Sequence, residues 1–192
     1  MQALNGIGGI GKTQTAVEYA YRFREDYQFV LWASANTRDL LVKDCVAIAA
    51  MLDLPEKAAQ DQDEAVNAVK RWLEGNAGWL LILDNADDLK VAREFIPSSE
   101  RGHVLLTTRA QVTGTIAVRN AVDKMEPPEG ATFLLRRLGK LKKDEPLESV
   151  AEQLRTEAED LSKELGGLPL ALDQAAAFID ERNVNENVKV IQ

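Results

Sequence analysis

Residues Gly6-Ile7-Gly8-Gly9-Ile10-Gly11-Lys12-Thr13 fit the pattern G-x-x-x-x-G-K-[ST], whose chemistry is the capture of an anionic phosphate. Glycine lets successive backbone N–H groups converge on the anion, and a helix starting near Lys12 turns its electropositive end toward the same charge. Lys12 is then placed to reach the outer phosphates and the Thr13 hydroxyl to ligate magnesium, while Gln14 completes the phosphate-side set. The alternative is a plain glycine-rich turn between a strand and a helix.

Two further sets of polar residues end apolar runs. Trp79-Leu-Leu-Ile-Leu83 is followed by Asp84, which puts a carboxylate at the carboxyl end of a buried strand, where ligands of open α/β sheets bind. Asp84 is expected on the magnesium side, acting through water, with a helix-capping role as its alternative. Asp87 and Asp88 are assigned mainly to structure, since both offer that capping chemistry. Asn85 stands where many hydrolysing proteins carry a second acid, and an amide cannot take a proton from water, so fast hydrolysis is not expected. His103-Val-Leu-Leu106 leads into Thr107-Thr108-Arg109. Arg109 can bind a terminal phosphate oxygen bidentately and so tell triphosphate from diphosphate; a surface salt bridge is the alternative. His103 reads as a strand-start residue, because there is no second histidine to build a metal site.

These residues need a scaffold that brings them to one edge. Phe29–Ala33, Trp79–Leu83 and His103–Leu106 are apolar runs of strand length, and Gln2–Asn5 gives a first strand leading into the glycine-rich segment. Val122–Met125 is a weaker candidate for the last. Between them lie helical patterns: Ala16, Val17, Ala20 and Phe23; Leu41, Cys45, Ile48 and Leu52; Ala65, Val66, Val69, Trp72 and Leu73. Alternating strands and helices imply a parallel sheet covered on both faces. After Pro127-Pro128 the strand signal stops and helical spacing continues, so we expect an α/β domain over 1–126 and a small all-helical subdomain over 127–182. Gly166-Gly167-Leu168-Pro169 breaks that helical stretch, with a last helix expected from Pro169 to about Glu181 and a polar tail over 183–192.

Composition narrows the function. The 192 residues carry a formal net charge of -8, which argues against a general binder of nucleic-acid backbone. Cys45 is the sole cysteine, so no disulfide forms within the chain, and its apolar neighbours suggest a buried thiol. No apolar run has membrane-spanning length, and no secretory signal begins the chain. A cytoplasmic location without membrane contact is the expectation.

The segments Gly6–Thr13, Phe29–Ala33, Leu80–Asp84, Leu105–Arg109 and Gly167-Leu-Pro-Leu-Ala-Leu172, in this order, resemble the NB-ARC family of signal-transduction ATPases with numerous domains, known as STAND proteins. The last segment is the most specific, and the resemblance covers Ala3 to about Glu181. It implies a P-loop NTPase three-layer sandwich followed by a helical subdomain, with ATP or ADP and Mg2+ as cofactors. It also implies that Pro169, with Leu170 beside it, contacts the base or sugar side of ADP and that Arg109 senses the terminal phosphate. A helix-initiating role is the bland alternative for Pro169. Family members are switches, resting with ADP and opening to oligomerise with ATP, with sensor and effector domains as partners in a longer chain. Those further parts of the family lie outside this sequence, so a fragment or a minimal relative is expected. Readings set aside are a small-molecule kinase, which would need an acceptor site and a lid of arginines; a GTPase, which would need an [NT]-K-x-D motif; and an interaction module, in which Lys12 and Thr13 would not need to be intact.

Overall fold

A computed structural model describes residues 1–59, 61–111 and 116–189, with side chains through Arg182. Five parallel strands form one sheet in the order β2-β3-β4-β1-β5: β1 Gln2–Asn5, β2 Phe29–Ser34, β3 Trp79–Asp84, β4 His103–Thr108 and β5 Val118–Ala121. β3 is buried along its whole length, as its unbroken apolar run requires of a central parallel strand. Alternation along it feeds two layers. Trp79, Leu81 and Leu83 join the core made with α2 (Arg38–Met51), α3 (Gln62–Gly75) and α4 (Leu89–Phe95); Leu80 and Ile82 pack with Ala16 of α1 (Lys12–Arg22). Each fully buried leucine of this strand contributes about 1.5–3 kcal/mol. The α/β three-layer sandwich expected from the sequence is therefore the observed architecture.

Side-chain caps start three helices where the sequence offers them. The Thr37 hydroxyl accepts from the Leu40 N–H at 3.3 Å, Asp61 from Asp63 at 2.9 Å, and Asp88 from Lys90 at 2.9 Å. Cys45 is buried, and burial pushes its thiol pKa up to about 12, with Asp44 adding to the shift. His103 does begin β4, and its Nδ1 lies 2.8 Å from the Tyr27 hydroxyl.

Two compact units make up the chain: Met1–Gly8 with Lys12–Val122, and Gly9–Gly11 with the residues from Asp123 onward. The second is helical, built from α5 (Pro127–Arg137), α6 (Glu152–Glu164) and α7 (Pro169–Lys189) around Ala131, Leu134, Leu135, Ala158 and Ala176. Glu129 accepts from the Glu126 N–H at 2.9 Å, which closes the first turn of α5 over the two prolines.

Two sequence expectations need correction. The last strand is Val118–Ala121, not Val122–Met125. All four of its residues are exposed and two of them, Arg119 and Asn120, are polar, so it carries no hydrophobic signature; it forms because the edge of β1 supplies hydrogen-bond partners in register, Gln2 against Val118 through Asn5 against Ala121. Met125 instead donates its N–H to the Gly167 carbonyl at 2.9 Å within the helical unit. The last helix does not stop near Glu181 but runs to Lys189, through the expected polar tail, because asparagine lowers helix propensity without breaking a helix already begun.

Candidate phosphate-binding site

The strand order determines the site. β4 lies between β1 and β3, with Asn5 opposite Thr108 and Leu83 opposite Leu106, so three carboxyl ends stand side by side. One carries the glycine-rich segment, one Asp84 and one Thr107-Thr108-Arg109. Gly9 and Gly11 have φ of +75° and +96°, left-handed values that a side chain would strain, which is why glycine suits both positions although the pattern fixes only the second. α1 begins at Lys12, directly after the last of these glycines.

Asp84 is the hub. It is 8% exposed, and its Oδ1 accepts from the Thr13 hydroxyl at 2.9 Å and from the Thr107 hydroxyl at 2.5 Å. Thr107 Oγ1 in turn accepts the Asn85 N–H at 2.8 Å. Asn85 adopts φ +58°, a region asparagine tolerates better than most residues, and this turn leaves Asp84 facing Thr13. Thr13 Oγ1 and Asp84 Oδ1 are adjacent hard oxygens of the kind magnesium takes. Among the described residues no group of three or more acidic, histidine or cysteine side chains is placed to hold a metal ion. The helix-capping alternative for Asp84 belongs instead to Asp88.

Lys12 is 8% exposed and donates through Nζ to the Gly6 and Ile7 carbonyls, each at 2.9 Å. Burial lowers its pKa, Asp87 opposes this, and Arg109 adds to the lowering. Asp87, expected to be structural, holds Arg109: Oδ1 accepts the Arg109 N–H at 2.6 Å and Oδ2 accepts Nε at 2.6 Å, with Nη2 at 2.5 Å. Burial raises the Asp87 pKa, but these Arg109 contacts outweigh it and hold the carboxyl below its ordinary value. Thus the salt-bridge alternative for Arg109 is present in the structure.

Gly6, Ile7, Gly8, Lys12, Thr13, Gln14, Asp84 and Arg109 all belong to the first unit. Gly9, Ile10, Gly11, Pro169 and Leu170 belong to the second, where Pro169 starts α7 and the Leu170 N–H donates to the Gly9 carbonyl at 3.2 Å. Sequence reasoning did not select Asn5. Its buried Oδ1 finds no partner among the described residues, one position before the glycine-rich segment. A polar residue ending a buried strand was the available signal; an acceptor so placed calls for a donor such as water.

No family model matches the chain. It is similar to a nucleotide-binding leucine-rich repeat (NLR)-like protein of Hyaloscypha variabilis, 30% identical over 203 residues, covering 95% of this chain and 20% of that protein. It is 28% identical over 188 residues to the regulatory protein AfsR of Streptomyces coelicolor, covering 95% of this chain and 18% of that one. The chain thus spans about a fifth of the length of these relatives. Among solved structures, a STAND protein with a tetratricopeptide repeat sensor from Pyrococcus horikoshii aligns with TM-score 0.56 at 19% identity, over 88% of this chain and 26% of that one. The Aeropyrum pernix ORC1 protein, solved in complex with DNA, aligns with TM-score 0.52 at 16% identity, over 95% of this chain and 55% of that one. At these identities the structural likenesses concern the fold.

Proposed function

We propose that this chain, a P-loop NTPase domain of the NB-ARC/STAND type, binds ADP and ATP with Mg2+ and acts as the nucleotide-dependent switch of a longer signalling protein, hydrolysing slowly. The observation that carries the reading is the contact of Thr13 Oγ1 with Asp84 Oδ1 at 2.9 Å, beside a Lys12 seated over the same loop. Backbone N–H groups of the loop and the start of α1 receive phosphate oxygens, and Lys12 exchanges its carbonyl partners for the outer phosphates. Thr13 and Asp84 would hold the metal, which neutralises phosphate charge when bound. Thr107 keeps the Asp84 carboxylate oriented toward Thr13. Asn85 supplies no base, which supports slow turnover.

A switch requires that the two nucleotides stabilise two conformations unequally. Arg109 supplies that inequality in this reading, since only a triphosphate offers it the oxygens of a third phosphate. The resemblance adds Pro169 and Leu170 as contacts to ADP, and it supports an adenine preference, sensor and effector partners and nucleotide-dependent oligomerisation. Among the described residues no helix is long and apolar enough to cross a membrane. That finding and the unpaired Cys45 support a cytoplasmic site of action.

Thermal unfolding with magnesium and ADP, ATP or GTP tests this directly. Saturation at a hundred times Kd stabilises by about 2.7 kcal/mol, which for a domain of this size raises the midpoint by about 5–10 °C. We expect that rise with adenine nucleotides and its loss in Lys12→Ala. A chain unmoved by any nucleotide would refute the proposal, and an equal rise with GTP would remove the adenine preference from it.

A further inference from the structure

We propose that Asp87 is a positioning residue that fixes Arg109 as the reader of the terminal phosphate and thereby sets the preference between ATP and ADP. The assignment rests on the nucleotide-binding function proposed above. One carboxylate grips both ends of one residue: Oδ1 takes the Arg109 backbone N–H at 2.6 Å, while Oδ2 takes Nε at 2.6 Å together with Nη2. Thr108 Oγ1 lies 3.4 Å from the same Oδ1. The carboxylate is itself tethered. Asp87 donates its N–H to the Asn85 carbonyl at 2.9 Å, and Ala86 donates to the Thr107 carbonyl at 2.7 Å, so the turn after β3 is tied to the end of β4.

The edge of the guanidinium that is used matters as much as the pairing. Asp87 engages the Nε–Nη2 edge, and a planar guanidinium gripped there presents its outer Nη1–Nη2 edge as a second fork suited to two phosphate oxygens. The Arg109 side chain is 69% exposed, so without this grip a long flexible chain would sample many rotamers and lose much of its discrimination. Asp87 also neutralises the guanidinium. A neutral pair offers little long-range attraction to any nucleotide, so what Arg109 adds comes from directed hydrogen bonds to a third phosphate. Gly6 donates its N–H to the Thr108 carbonyl at 3.3 Å, so Arg109 follows directly beside the start of the phosphate loop.

The experiment measures Kd for ADP and for a non-hydrolysable ATP analogue, both with magnesium, in wild type, Asp87→Asn, Arg109→Gln and the double variant. Asp87→Asn should weaken the ATP analogue about tenfold and move ADP less than about twofold, as loss of a charge-assisted hydrogen bond made only to the third phosphate implies. Arg109→Gln should do the same, the double variant should lose no more than either, and Asp87→Glu should recover part of the loss. Tighter binding of the analogue by Asp87→Asn would overturn the proposal, because Asp87 would then be competing for Arg109. Equal weakening of both nucleotides would overturn it too, as the mark of a merely structural residue. Unchanged binding in Asp87→Asn overturns this assignment alone, whereas a wild type that binds neither nucleotide overturns the function on which it rests.

Discussion

Asn85 holds a left-handed turn at the position beside Asp84 where many hydrolysing relatives carry a second acid. Its φ of +58° is a conformation that aspartate accepts nearly as readily, so Asn85→Asp changes the chemistry with little cost to the backbone. General bases contribute about 10²–10⁴-fold to catalysed rates, so turnover in Asn85→Asp should exceed that of wild type by at least about tenfold in a phosphate-release assay. Equal rates would mean that something other than the missing base limits hydrolysis, such as release of product. Residue chemistry was the most legible part of this site. Lys12, Thr13 and Asp84 declare themselves because a loop pattern and a strand-end acid are local features. Asp87 did not, because its partner Arg109 follows a different strand, and nothing within its own segment separates an ion-pairing acid from a capping one. Asn5 stayed hidden for a similar reason: whether its carboxamide has a partner depends on β4 and β5, which flank it.

At the scale of elements, the sheet depends on one close approach that the sequence does not advertise. A Cβ placed on Gly102 would lie 2.2 Å from the Trp79 ring, and Trp79 is fully buried with Nε1 donating to the Leu73 carbonyl at 2.9 Å and the Asn76 carbonyl at 3.1 Å. The indole therefore joins the start of β3 to the end of α3 and has little room to yield. Gly102→Ala should cost about 1–3 kcal/mol, or a fall of about 3–10 °C in the unfolding midpoint without nucleotide. An unchanged midpoint would show that the ring can move aside. Three of the five strands were legible as continuous apolar runs, and β1 by its place before the glycine-rich segment. β5 was not, since an edge strand with exposed residues is held by backbone pairing to β1, and that information lies in the partner. The order of strands was equally unreadable: that β4 inserts between β1 and β3 follows from how the crossovers pack, and only this insertion sets Arg109 beside the loop.

For the whole molecule, net charge argues against DNA as a partner. The ORC1 structure similar in fold was solved with DNA, yet fold likeness at 16% identity carries no partner with it. This chain has 23 Lys and Arg against 31 Asp and Glu. Affinity for a duplex comes mostly from cations that displace counterions from phosphates, and a net-acidic surface repels the same polyanion. Several of the basic side chains are also engaged internally: Arg38 with Asp63 and Glu94, Arg71 with Glu56, Arg137 with Asp173. A labelled DNA duplex should therefore show no saturable rise in anisotropy with up to about 10 μM protein at about 0.15 M salt, since the nonspecific Kd values of about 10⁻⁴–10⁻⁶ M reached there come from cations that neutralise phosphates, and this chain has a net excess of carboxylates. Binding that falls steeply with added salt would reveal a local basic face able to overcome the overall charge. Binding insensitive to salt would require contacts to bases. With neither, the anion site proposed for this chain is left as the small one at the glycine-rich loop, where Lys12 lies without a salt-bridge partner among the described ion pairs.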